Sequence, residues 1–217
     1  MNRHVPIPEV YKTLFESFGP QHWWPGRTRL EVVIGAILTQ NTAWTNIEKV
    51  IRRLKKEKGL NLHVLHQENA QTIAEWIKPA GYFNVKAKRI KAFVDTVFRG
   101  YGGRLEKLFT LETSLLRQVL LHIHGIGPET ADSILLYAAK RPVFVVDAYT
   151  RRFLSRHGWI HSDASYDEIA RLFESKMGKD VQTYNEYHAL IVQLGKSFCK
   201  TKPLCENCPL HPWLNPV

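Results

Sequence analysis

A chain of 217 residues with 44% hydrophobic content can bury a full core, as one large domain or as two small lobes. Its 30 Lys and Arg against 20 Asp and Glu give a formal charge of +10 and a pI near 9.6, which favours an anionic partner through counterion release and long-range steering. No segment reaches the roughly 18 uninterrupted apolar residues of a bilayer crossing, and MNRHVPIPEVYK has no apolar signal core, so no membrane association is expected and a cytoplasmic protein is.

Strand alternation is scarce and helical spacing common, so the chain reads as mostly α. The run LEVVIGAIL (30–38) is too continuously apolar for a surface helix and suits a buried one. Trp44, Ile47, Val50, Ile51 and Leu54 then recur at helical intervals, while Lys49, Arg52, Arg53, Lys55 and Lys56 occupy the other face. Further helices are predicted over about 70–78, 84–98, 113–121 and 129–140, with Pro142 breaking the last. Ser165 stands three residues before Glu168, a capping-box pattern opening a helix that buries Ile169, Leu172 and Phe173. A helix over about 183–197 precedes a cysteine-bearing tail. Without repeats or linkers, the pattern suits an interrupted arrangement: one lobe from 30–140, the other from 1–29 with 141–217.

The most telling stretch is 125–149, GIGPETADSILLYAAKRPVFVVDAY. Gly125 and Gly127 bracket Ile126, and the amides that open the following helix lack intrahelical partners. Pro128 suits the first helical turn, so helix, GIG turn and helix together can grip a DNA phosphate; a plain packing corner fits the same residues. Asp147 ends PVFVVD, where apolar neighbours can hold a carboxylate in a partly desolvated cleft. It also fits the N-cap of a helix beginning AYTRRF, and the two roles are compatible. Arg151 and Arg152 follow, and Lys86, Lys88 and Arg89 form a second basic strip; both groups are candidates for phosphate contact or for a solvated surface. His188 reads as a packing histidine.

LEVVIGAILTQNT, AGYFNVKAKRI, the 125–147 block and the cysteine tail occur in an order that resembles the endonuclease III branch of the helix-hairpin-helix DNA glycosylases. The resemblance spans nearly the whole chain. It implies an all-α fold of two helical lobes flanking a DNA-binding cleft, into which a damaged base is flipped from the duplex. Asp147 then matches the catalytic aspartate, and Gly125, Ile126 and Gly127 match the phosphate-binding hairpin. Gln40 matches the residue that plugs the gap beside the extruded nucleotide, supported by Asn41 and Thr42. In bifunctional members the glycine turn is followed, after one residue, by a catalytic lysine; Glu129 stands there instead, and a carboxylate cannot form the Schiff base that permits strand cleavage.

The HWWPG and QNTAW segments are most similar to the 3-methyladenine DNA glycosylase III subgroup, which implies Trp23, Trp24 and Trp44 as walls of a base pocket. The expectation is a monomeric, cytoplasmic or nucleoid-associated monofunctional glycosylase acting on alkylated purines in double-stranded DNA. A lyase-active glycosylase for oxidised pyrimidines or mispaired thymine, and a non-enzymatic DNA-binding protein, are the alternatives. The tail FCKTKPLCENCPLHPWL departs from the iron–sulfur members. It has three cysteines (Cys199, Cys205, Cys208) where they use four, and Leu214 stands at the fourth position. Three thiols, completed by His211 or a non-protein ligand, suit a [4Fe-4S] cluster or zinc, and a metal-free tail is the remaining reading.

Overall fold

The computed structural model describes residues 5–57 and 59–214. Among these residues there are twelve α-helices and no strand, the all-α architecture expected from the helical spacing. The chain divides into two compact units: Gly26–Arg141 is the central unit, and the residues up to Pro25 join those from Pro142 onward in the terminal unit.

In the central unit α2 (Arg29–Leu38) is enclosed as its apolar run dictates, with every residue from Val32 to Leu38 buried. Thr28 caps it by accepting from Glu31 N, and Glu31 in turn accepts from Lys55 Nζ at 3.0 Å. Helix α3 (Trp44–Lys56) buries Ile47, Val50, Ile51 and Leu54 and leaves its basic side exposed. Short helices α4 (Leu62–Gln67) and α5 (Ala70–Trp76), capped by Asn61 and Asn69, pack on the long α6 (Phe83–Tyr101). After α7 (Leu105–Phe109) come α8 (Thr113–Leu121) and α9 (Pro128–Ser133), the two arms of the glycine hairpin. Arg117 on α8 clasps the buried Asp132 on α9 with two bonds, Nε to Oδ1 at 2.7 Å and Nη2 to Oδ2 at 3.1 Å. The helix predicted over 129–140 changes character midway: Ile134–Ala138 is wholly buried and widens to π-helical bonding, with Ala139 N donating to Ile134 O.

The terminal unit draws on both ends of the chain. Helix α1 (Ile7–Phe18) buries Ile7, Val10 and Leu14 and packs on α11 (Tyr166–Met177) and α12 (Val181–Ser197). Tyr187 Oη donates to Ile7 O at 2.9 Å, and Lys176 Nζ to Val5 O at 3.0 Å. The core is aromatic: Phe144 stacks on Phe173 at 3.9 Å between centroids and meets Tyr184 and Tyr187 edge-on. The capping box predicted at Ser165 and Glu168 is present. Helix α10 (Ala148–Arg156) lies against α12.

Candidate active site

Asp147 is placed by an extended segment, not a strand. Phe144, Val145 and Val146 are all buried. Two of their amides are satisfied by side chains, Phe144 N donating to Glu174 Oε1 at 2.9 Å and Val146 N to Tyr166 Oη at 3.3 Å. The segment thus delivers Asp147 to the start of α10, where one oxygen makes the cap: Oδ1 accepts from Thr150 N at 2.7 Å and Thr150 Oγ1 at 2.9 Å. The other oxygen, Oδ2, lies 3.6 Å from His188 Nε2 on α12, both side chains being almost wholly buried. Burial pushes the carboxyl's pKa up, but the His188 contact and the Thr150 bonds together outweigh it, and the net direction is down. The carboxylate is therefore a cap and a buried anion at once. His188, read from sequence as a packing histidine, is the partner that the sequence reading missed. Separation along the chain hid it, and no local pattern around YHAL marks it out.

The hairpin lies in the central unit. Gly125 has φ +82°, and Ile126 is buried and donates to Ile123 O at 3.0 Å. Gly127 then caps α9 in extended conformation with Pro128 in its first turn, and Glu129 is exposed on that same turn. Gln40, just beyond α2, is drawn onto the hairpin: Nε2 donates to Gly125 O at 3.1 Å and Thr130 Oγ1 at 2.8 Å. Arg89 Nη1 donates to its Oε1. Asn41 follows in the left-handed region at φ 53° and is exposed.

Three expected phosphate contacts need correction. Lys86 is buried, not on a surface strip; its Nζ donates to Leu38 O at 2.8 Å, Thr42 Oγ1 at 2.6 Å and Ala80 O at 2.9 Å. Burial, with the nearby Arg89 charge, brings its pKa down to about 8. Arg152 turns inward, donating from Nε to Cys199 O at 2.6 Å with its guanidinium over the Tyr149 ring. Arg151 Nη1 donates to Ala164 O at 2.5 Å. In each case at least one donor is bonded to a carbonyl oxygen within the same unit.

The tryptophans divide between the units. Trp23 and Trp24, half-buried in the terminal unit, meet edge-on at 5.1 Å. Trp44 opens α3 in the central unit, with Nε1 donating to Glu48 Oε1 at 2.8 Å. In the tail, Cys199, Cys205 and Cys208 line one small pocket together with Arg156, His157 and Leu214. Arg156 Nη1 lies 3.3 Å from Cys199 Sγ. Among the described residues no three His, Cys, Asp or Glu side chains converge closely enough to hold a metal ion. His211 is exposed, with Nδ1 3.1 Å from Cys205 O. No helix of the described residues is long and apolar enough to cross a membrane.

Comparison with known proteins agrees with this geometry. The description of the HhH-GPD superfamily of base excision DNA repair proteins matches residues 34–179. A protein of Methanocaldococcus jannaschii, provisionally named a DNA repair glycosylase, is 49% identical over 96% of both chains. Endonuclease III of Sulfolobus acidocaldarius is 28% identical over 86% of this chain and 82% of its own. Among solved structures, 3-methyladenine DNA glycosylase of H. pylori, bound to 1,N6-ethenoadenine, superposes with a TM-score of 0.78 at 30% identity, covering 88% of this chain and 98% of that one. A non-covalent endonuclease III–DNA complex gives 0.82 at 21% identity, covering 98% and 96%, a likeness of fold. The chain belongs to the HhH-GPD superfamily of base excision DNA repair proteins and is a DNA glycosylase of that family.

Proposed function

We propose that this glycosylase is monofunctional and releases alkylated purines such as 3-methyladenine from double-stranded DNA, leaving an abasic site. The observation that carries the reading is Asp147: a buried carboxylate whose burial penalty is outweighed by hydrogen bonds and by His188, so that it stays ionised. A purine alkylated on a ring nitrogen is cationic, and its glycosidic bond is already weakened. As that bond breaks, its electron pair leaves with the base, which departs neutral, and positive charge gathers on the sugar. Asp147 offsets that charge; water then adds at C1′ and gives up its proton, with the same carboxylate as acceptor.

Glu129 supports the monofunctional half of the reading. It is exposed on the hairpin turn where a bifunctional enzyme would present an amine, and a carboxylate cannot form the imine. Trp23 and Trp24 in the terminal unit, and Trp44 in the central unit, each carry an indole face suited to stacking a cationic purine, and the H. pylori relative is a 3-methyladenine glycosylase. The hairpin of Gly125, Ile126 and Gly127 holds phosphate, and Gln40 and Asn41 serve the gap left by the flipped nucleotide. In the tail, three thiols line one pocket and are the groups that would take a [4Fe-4S] cluster or a zinc ion, were either bound. Cys199, Cys205 and Cys208 would hold either one, and it would order the tail without entering base release.

Base release from duplexes carrying 3-methyladenine, an oxidised pyrimidine or a mispaired thymine tests the substrate. Release of only the latter two would reject it. Borohydride added during turnover should trap almost no covalent protein–DNA product, and efficient trapping would reject the monofunctional reading. Iron, sulfide and zinc analysis of the purified protein tests the cofactor.

A further inference from the structure

We propose that Arg89 is a positioning residue for base extrusion, holding Gln40 on the hairpin so that phosphate capture and gap filling act as one unit. The inference rests on the assignment of Gln40 to the gap beside the flipped nucleotide. Arg89 and Lys86 lie one turn apart on α6, and both side chains are directed at the segment that follows α2. Lys86 fixes the backbone of that segment through Leu38 O and Thr42 Oγ1. Arg89 fixes the one side chain in it that reaches the hairpin.

The chemistry allows only one arrangement. A guanidinium has donors alone, so it selects Oε1 of Gln40 and turns Nε2 toward the hairpin. Nε2 then occupies Gly125 O and Thr130 Oγ1, two acceptors on opposite sides of the GIG turn. With its carbonyl engaged by Gln40, Gly125 does not present that oxygen to a phosphate, where it would repel. Arg89 also packs directly on the turn: a Cβ built on Gly125 would lie 2.6 Å from Arg89 Nε, so glycine is needed for this contact as well as for its φ. That Nε is buried and has no acceptor among the described residues. An arginine pointing into water would avoid this cost, so the placement serves the Gln40 contact. A glutamine fixed in advance loses little side-chain entropy on entering the DNA, which is worth up to about tenfold in binding.

The test uses the full chain and two duplexes, one intact and one carrying a tetrahydrofuran abasic analogue, with affinities measured at one salt concentration. The analogue has no base to release, so the result does not depend on which base the enzyme excises. Arg89→Met should reduce the preference for the abasic duplex, read as the ratio of the two affinities, about tenfold. Gln40→Ala should reduce it similarly, and the double variant should fall no further than Gln40→Ala alone. Arg89→Lys, which keeps a donor near Oε1, should restore part of the preference. The proposal is overturned if Arg89→Met keeps the preference, if it costs as much in the Gln40→Ala background as in the wild type, or if lysine fares no better than methionine. Should Arg89→Met fail to fold, a folded Gln40→Ala protein with its preference intact overturns it too. Base release by the wild type and by Asp147→Asn, measured in parallel, reports on the glycosylase assignment separately.

Discussion

Asp147 offers different atoms to the fold and to the proposed reaction. Oδ1 caps α10, whereas Oδ2 faces His188. Asparagine retains a capping oxygen, so Asp147→Asn should melt within a few degrees of the wild type yet lose about 100-fold or more in base release. The carboxyl's folded pKa lies below its ordinary 3.8, so its stabilising contribution is complete above that value and is lost as pH falls through the lower folded one. Stability curves of Asp147→Asn and the wild type should therefore begin to approach each other only as pH falls below 3.8, and should meet once it has passed the lower folded pKa. Lys86 is the contrasting case, a lysine whose work is internal. Lys86→Met would strip donors from Leu38 O and Ala80 O and should cost about 3 kcal/mol in denaturant melts. Between its folded pKa of about 8 and its ordinary 10.5 the unfolded chain holds the extra proton, so the wild type gains on Lys86→Met as pH rises through that window. The capping role of Asp147 was legible in the sequence, because four apolar residues run into a helix start, whereas its catalytic role was implied by the family resemblance alone. The burial of Lys86 was not legible, since alternating Lys and Ala in NVKAKRI looks like a solvated helix face; the acceptors that draw it inward come from residues 38, 42 and 80.

At the scale of elements, legibility followed length and capping. The buried α2, the amphipathic α3 and the boxed α11 each carry their own signal, and each forms where the spacing predicts. Helices α4 and α7 escaped the sequence reading because they are short and draw their stability from packing on the longer α6, whereas α1 carries Ile7, Val10 and Leu14 at helical spacing, a signal the sequence reading did not use. The π-helical close of the hairpin's second arm was equally invisible: ILLYA is apolar in any helix, and the wider turn is set by what encloses it. The hairpin itself rests on Gly125, whose φ of +82° and contact with Arg89 both exclude a side chain. Gly125→Ala should cost about 1–3 kcal/mol in thermal unfolding and weaken duplex binding, because the turn must shift to admit the methyl group. Retention of both stability and DNA affinity would show that neither constraint matters.

For the molecule as a whole, the decisive fact is that the terminal unit is assembled from separated stretches of chain. Helix α1 reaches α12 through Tyr187 Oη and Ile7 O, and Gln21 N donates to Glu186 Oε1 at 2.5 Å. Removing residues 1–25 would uncover the seats of Ile7, Val10 and Leu14, three fully buried side chains worth about 5–9 kcal/mol together. That is comparable to the stability of a whole domain, so the truncated chain should lose the helices of the terminal unit, read as a drop in circular dichroism and as new protease sites beyond Pro142. Persistence of those helices would mean that α1 is dispensable. The same discontinuity sets an order of maturation during synthesis. All of Gly26–Arg141 is synthesised before α12, so the hairpin can take shape while Asp147 still lacks His188. The residues proposed to grip DNA are therefore complete before those proposed to release the base, and base release is the last capacity that translation would confer.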